Sequence, residues 1–535
     1  MSTHKARKVS AWLHALGAPE AEIRERMEHI FGSDPVLVES RAMQYRAALE
    51  AFGKVYGPDR DVVVVRAPAR INLMGVHIEH RGGWVNYMAI SREIVVVAEC
   101  RSDDVVELRN VDEASYPPRT FRIGEELPPD ERGDWLRFIN EAQIAQGDWA
   151  NYTKAAVLML QDRQKDQVLR GMNIMVTGDI PRGAGLSSSS ALVVASLEAA
   201  LWANNLELSR EEKTILSGEG EWYVGTRGGA GDHAAMLYAE RGIVCHTRFF
   251  PLVVEPVPFP KGYKVVACNS LREARKSAGA RSTYNERVAI LSIGLMMIKR
   301  RFPEYADRLV HLRDVNAEHL GVDEGRIYEI LKALPERITR EELIAQLPED
   351  REQLEALFRT HDAPPDGYAI RGGCLFALSE CERGRMTAEL LREGRVVEFG
   401  QLMYVSHNGD RVVSYESGER RPYENDVSDA HLDRLIRAAE SQDATERAAA
   451  RLCYQPGSYR CSCEELDLLV DIAKTVPGVM GAGLTGAGLG GSILVLVRED
   501  AVDRLVETVK ARYYDPRGLP PATEVCSPVA GAGSL

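Results

Sequence analysis

The sequence predicts a mixed α+β protein of two or three domains. The first observation behind this is size: 535 residues with a 45% hydrophobic fraction exceed what one compact core holds. The second is that helix-spaced and strand-like stretches alternate throughout. The third is a pair of glycine-rich loops, at residues 178–190 between a strand and a helix and at 478–491 between a helix and a strand.

Taken in chain order, residues 1–40 read as a charged helical extension. Asp61 to Val65 is a strand ended by a break at Ala67-Pro68, and a Gly82-Gly83 turn leads to a second strand, Ile94 to Ala98. Trp149 to Gln161 has helical spacing, Gly171 to Val176 is a strand, and the apolar run Ala191 to Ala203 is a buried helix. Residues 287–360 are helical and charged, and 408–458 read as a polar insertion or long loop. Glu464 to Lys474 is helical, Ser492 to Val497 is a strand, and the Pro- and Gly-containing tail from Pro516 is expected to be poorly ordered.

A net charge of -13 excludes any general attraction to nucleic acid or anionic lipid, so a phosphate site has to be local. Nine cysteines are scattered, and Cys461 and Cys463 lack the spacing of a zinc pair, so reduced thiols are expected. No run of 18 apolar residues and no signal-peptide core occur, which makes the cytoplasm the expected location.

The segment GDIPRGAGLSSSSALVVASLEAA begins at Gly178. Gly183 and Gly185 allow a tight turn and close approach to a ligand, and Ser187, Ser188, Ser189 and Ser190 sit where the apolar helix starts. Exposed N–H groups and the helix dipole there suit a polyanion, and serine hydroxyls can bond phosphate or ligate magnesium. The plain alternative is a Ser/Gly linker capping a helix. It is not a Walker loop, since no Lys follows the glycines. In the second loop, Gly481, Gly483 and Gly486 match G-x-G-x-x-G formally. That fingerprint needs a strand before and a helix after, and here the order is reversed. Closing over phosphates and packing tightly on another backbone both remain open for it.

RAPARINLMGVHIEHRGGWVNYMAI (66–90), PRGAGLSSSSA (181–191) and LTGAGLGGS (484–492) together resemble the three motifs of the GHMP kinases, most closely the galactokinase branch. WANY (149–152), STYNERVA (282–289), EFGQLMYVSH (398–407) and YRCSCEELD (459–467) look like galactokinase segments as well. The resemblance implies a two-domain GHMP kinase fold with the active site in the interdomain cleft. It would comprise an N-terminal domain over 41–262, a C-terminal domain over 263–515 with an insertion at about 408–458, and a tail over 516–535. It implies ATP and Mg2+ as partners of a sugar 1-kinase, with direct transfer and no phosphoenzyme.

Residue by residue, Asp232 in Gly229-Ala230-Gly231-Asp232-His233 matches the family's proton-accepting Asp, with His233 in place of Gln. On its own, Asp232 reads equally as a turn residue. Arg70 matches the charge-stabilising Arg of the first motif. Ser189 matches the magnesium-ligating serine. Its acidic partner falls at Gly220, so Glu219 or Glu221 serves, with Glu221 preferred. Gly183, Gly185 and Ser187 to Ser190 would bind ATP, and His77, Glu79, Gly229 and Tyr284 would bind the sugar.

Galactokinases read G-E-H-T-D-Y where this chain reads Gly75-Val76-His77-Ile78-Glu79-His80. Val76 replaces the Glu that holds the hydroxyl on carbon six. That removes a charge-assisted hydrogen bond worth roughly 1.5–3 kcal/mol and a charge that would repel a carboxylate. The run resembles the galacturonokinase pattern, and arabinokinases also lack the Glu, so a uronic acid or pentose is expected, with Arg227 a candidate carboxylate partner. A silent sugar and ATP sensor is the alternative from another class, opposed by the intact Ser187 to Ser190 and Asp232. A mevalonate- or homoserine-type kinase is opposed by the segments around Tyr284 and Gln401.

Overall fold

Strand Asp61–Met74 is the spine of the larger of two main sheets in this computed structural model, which describes residues 6–17, 20–142, 144, 145, 147–225, 228–272, 278–416 and 419–535. Val62 and Val64 point into one hydrophobic cluster and Val63 and Val65 into another. A strand buried on both faces has no polar side to show, which is why DVVVV reads as an unbroken apolar run. The strand pairs antiparallel with Val85–Cys100 along most of its length, for example Val64 with Val97 and Arg70 with Ala89. It does not stop at Ala67-Pro68 as the sequence reading has it. The register shifts between Pro68 and Ala69, so the proline, which has no N–H to give, occupies an irregularity within one continuous strand.

Strand Met172–Gly178 continues the sheet beside Val85–Cys100, followed by Val105–Asn110, in parallel, and Arg119–Arg122. Ile243–Arg248 pairs with the start of Val85–Cys100, and Val253–Pro258 pairs with it in turn. The smaller sheet is antiparallel in the order Val479–Leu484, Ser492–Arg498, Tyr263–Asn269, Thr523–Cys526. Among the described residues, no helix is long and apolar enough to cross a membrane.

The tail overturns its expectation of disorder. Thr523–Cys526 is an edge strand of the smaller sheet, and Gly533–Ser534 pairs with Val65 and Arg66 in the larger one. Arg66 fixes it there by donating from Nη1 to the carbonyls of Ala530 (2.9 Å) and Gly531 (2.7 Å). Composition reports local stiffness and misses such tertiary pairing. The insertion has regular structure too: a hairpin of Val413–Glu416 and Glu419–Pro422, then helices Asp429–Ala439 and Ala444–Ala449.

Candidate active site

The GAGLSSSS segment forms a turn running into helix Ser188–Ala203, with Gly183 at φ 68°, Gly185 at φ 79° and Ser187 at φ 60°. The second glycine loop packs against it. A Cβ on Gly185 would stand 3.2 Å from the Thr485 carbonyl oxygen, and Ser492 Oγ donates to the Ala184 carbonyl at 2.9 Å. Of the two readings left open for that loop, close backbone packing is the one seen, while Gly486 and Ala487 also reach the cavity beside the turn.

That cavity, about 270 Å³, is lined by Arg70, Asp232, Glu79, His77, Gly229, Tyr284, Ser189, Ser190 and Glu221 of the residues singled out from the sequence, while Gly183, Gly185, Ser187 and Ser188 lie outside its lining. Arg70, near the end of its strand, donates from Nε to Asp232 Oδ1 (2.6 Å) and from Nη2 to Asp232 Oδ2 (2.8 Å). Its Nη1 donates to the Gly185 carbonyl at 2.6 Å, which ties the pair to the phosphate-loop turn. Asp232 lies in the first turn of helix Gly231–Tyr238 and also accepts from the Ser187 hydroxyl. Burial alone would raise its pKa. The facing Arg70 guanidinium and the Ser187 donor outweigh this and hold the carboxyl below its ordinary value.

Glu79 takes N–H of Gly231 on Oε1 (2.8 Å) and the Tyr87 hydroxyl on Oε2 (2.9 Å). Burial, then the nearby Asp232 charge, raise its pKa. A Cβ on Gly229 would sit 1.8 Å from Glu79 Oε1, so only glycine lets that loop pass the carboxylate. Tyr284 and His77 line the same cavity.

Of the two acids weighed for a metal, only Glu221, at the end of helix Arg210–Glu221, lines the cavity; Glu219 does not. Ser190 Oγ donates to Glu221 Oε2 at 2.7 Å, so the serine bonded to this acid is Ser190, while Ser189 lines the cavity beside it. Oxygen donors of this kind suit magnesium, and the loop glycines and helix start suit phosphate. His233, which stands in place of the family's Gln, turns away from the cavity: its Nε2 lies 2.9 Å from Glu221 Oε2 and its side chain is buried. Arg227 lies outside the described residues.

Sequence reasoning missed Tyr87, Asn72 and His80 as cavity residues. Strand register brings in the first two, since Tyr87 pairs with Asn72 next to Arg70. His80 stood in the first motif, where the quoted galactokinase hexapeptide has Tyr; its Nε2 is buried without a hydrogen-bond partner, and burial pushes its pKa down to about 3.

Residues 151–240 match the family described as GHMP kinases N terminal domain, and 435–515 match GHMP kinases C terminal. Residues 50–100, which hold the Arg70 strand and the Glu79 turn, match the galactokinase galactose-binding signature. The chain belongs to the GHMP kinase superfamily, on its galactokinase-like branch. A galactokinase of Dictyostelium discoideum is 28% identical over 483 residues, covering 89% of each chain. One of Chloroflexus aurantiacus is 28% identical over 489 residues, covering 90% of this chain and 95% of the relative. In fold, this GHMP kinase matches the crystal structure of Lactococcus lactis galactokinase complexed with galactose with a TM-score of 0.65, at 22% identity, over 93% of this chain and all of that one.

Proposed function

We propose that this GHMP kinase uses ATP and Mg2+ to phosphorylate the anomeric hydroxyl of a galactose-like sugar, and that a uronic acid or pentose suits it better than galactose. The observation that carries the chemistry is the Arg70–Asp232 pair, bidentate, facing the cavity and bonded to the phosphate-loop turn. Asp232 would take the hydroxyl proton, and Arg70 would stabilise charge growing on the transferred group. A carboxylate held at low pKa is a weak base, adequate for a loose transition state in which the proton leaves late. Backbone N–H groups from Gly183 to Ser190 would cradle the phosphates, with Ser189 and Glu221 the oxygen ligands for magnesium. Magnesium, when bound there, supplies charge neutralisation on the β- and γ-phosphates. Glu79 would accept from sugar hydroxyls, beside His77, Gly229 and Tyr284.

The sugar preference rests on the first motif. Val76 is 5% exposed, packs in the core and gives the cavity no acceptor. The carboxylate that does reach this turn is Glu380, which accepts from the N–H groups of Gly75 (2.8 Å) and Val76 (3.1 Å) and is itself paired with Arg383. Neither Glu380 nor Arg383 lines the cavity. His80, by contrast, offers a neutral imidazole with a free nitrogen, suited to a carboxylate oxygen.

Release of ADP measured with galactose, galacturonate and arabinose tests both parts. Turnover of galacturonate or arabinose above galactose is expected. Efficient use of galactose with the other two inert would sink the sugar assignment, and binding of ATP and sugar without turnover would sink the kinase.

A further inference from the structure

His77, Asp410 and Cys461 come from three distant segments, and their donor atoms all lie within 4.8 Å of one another. Asp410 ends helix Val396–Asp410, and Cys461 sits in the loop before helix Glu464–Lys474. The side chain of Asp410 is fully buried, and that of His77 is 2% exposed.

The one cationic partner within ion-pair distance of Asp410 among the described residues is His77 in its protonated form. Asp410 Oδ1 accepts the Cys461 N–H at 3.1 Å, while Oδ2 has no hydrogen-bond partner. His77 Nε2, equally unpartnered, lies 3.4 Å from it. A charge-assisted hydrogen bond would bring such atoms to about 2.7–2.9 Å. A second buried carboxylate in the same region shows what satisfaction looks like, although the imidazole beside it, His407, is as unpartnered as His77. Asp467 accepts from Val412 N and Val413 N (both 2.9 Å) and from Ser462 Oγ (2.6 Å), with His407 Nε2 at 3.1 Å. Among the described residues, no Lys or Arg stands within ion-pair distance of Asp410. A buried carboxylate left this bare is costly.

We propose that His77 Nε2, Asp410 Oδ2 and Cys461 Sγ form a binding site for one zinc-type divalent ion. A tetrahedral zinc with nitrogen at about 2.05 Å and oxygen at about 2.1 Å sets those donors about 3.4 Å apart, matching the observed gap of 3.4 Å. The mixed N, O, S set favours zinc over magnesium and separates this site from the all-oxygen set of Ser189 and Glu221. The Tyr459 ring packs on the imidazole, centroids 4.8 Å apart, and holds it in place. Cys461 is a free thiol, as the sequence reading expects, and its proposed partners are His77 and Asp410 and not the neighbouring Cys463.

The ion would act as a staple for the sugar-binding turn. His77 has φ 65°, a left-handed conformation that a histidine keeps only when its surroundings impose it. Binding would tie this turn to Asp410 and Cys461, and the Cys461 carbonyl already accepts the Leu489 N–H at 2.7 Å from the second glycine loop. One ion would thus couple the sugar turn to the loop packed on the phosphate turn.

The test is cobalt spectroscopy on the full-length protein after chelator treatment, without ATP or sugar. One equivalent of Co2+ should give tetrahedral visible bands and a thiolate-to-metal charge-transfer band, bleached by Zn2+ and unaffected by excess Mg2+. C461S should lose the charge-transfer band, and D410N should weaken Co2+ binding by about tenfold or more. An octahedral spectrum with no charge-transfer band in the wild type overturns the site whatever the variants do. An unchanged band in C461S overturns it as well, by placing the thiolate elsewhere. Because no turnover is measured, this outcome and the sugar panel stand or fall separately.

Discussion

Strand Asp61–Met74 carries two arginines four residues apart, each paired with a carboxylate, and the two pairs do opposite things. Arg66 donates from Nε to Glu93 with side chains 1% and 0% exposed, and its Nη1 holds the tail. Arg70 meets Asp232 with side chains 8% and 26% exposed, and its remaining donor holds the phosphate-loop turn. The chemistry of the two pairs is the same, and the difference lies in where the carboxylate faces. Glu93 is sealed and serves to join the chain terminus to the sheet. Asp232 opens on a cavity, so its oxygens remain within reach of a ligand.

The largest effect should separate the two arginines. R66M strands Glu93 in the core, at a cost of about 3–5 kcal/mol for breaking a buried pair. Urea unfolding should show that loss, together with freeing of the tail. R70M leaves a carboxylate that water can reach, so its stability loss should be clearly smaller while kcat falls about 10²–10³-fold. Equal destabilisation by both substitutions would break the distinction between a structural and a working pair.

Both arginines are visible in the sequence, yet only one was legible as functional. Arg70 stands in a motif that resembles the GHMP pattern and Asp232 follows at a recognisable spacing, whereas the acidic position fell on Gly220 and left Glu219 and Glu221 to be weighed; only Glu221 lines the cavity. What could not be read depends on register and distant pairing. Tyr87 reaches Glu79 because the strand runs on through Pro68, where the sequence reading placed a break. His233 takes the place of a family Gln, but which way its ring turns is decided by Glu221, one helix away. The tail strands bind edges more than 200 residues distant in sequence, and no local pattern announces them. Helix Glu464–Lys474 and the buried helix from Ser188 were legible because their apolar spacing is local.

A middle-sized effect concerns pH and sharpens the contrast between the two carboxylates inside the cavity. Glu79 sits above its ordinary pKa because it is buried and faces Asp232; Asp232 sits below its own because of Arg70. As pH falls, Glu79 therefore protonates first, at a pH above the ordinary glutamate range, and loses an acceptor for the sugar. Asp232 follows only below the ordinary aspartate range. The acid limb of kcat/KM for the sugar should belong to Glu79, and E79Q should shift it to lower pH while raising KM. A limb unmoved in E79Q would mean that Glu79 does not meet the sugar in its ionised form.

The smallest effect tests the Ser187 hydroxyl that stands beside the guanidinium at Asp232, where Glu93 has the phenol of Tyr45 near it. Ser187 donates to the same Oδ2 that Arg70 Nη2 holds, whereas Glu93 Oε1 has no hydrogen-bond partner. S187A keeps the Cβ, so the left-handed turn at φ 60° is no more strained than before. It removes one donor from a carboxylate that retains both Arg70 contacts, so the Asp232 pKa rises toward its ordinary value without reaching it. The expected result is a kcat lower by no more than about tenfold, since one hydrogen bond to a charged group is worth about 1.5–3 kcal/mol and Arg70 recovers part of it. The rate should be measured against pH beside R70M. A loss in S187A as deep as in R70M would make the hydroxyl, and not the guanidinium, the group that sets the state of Asp232.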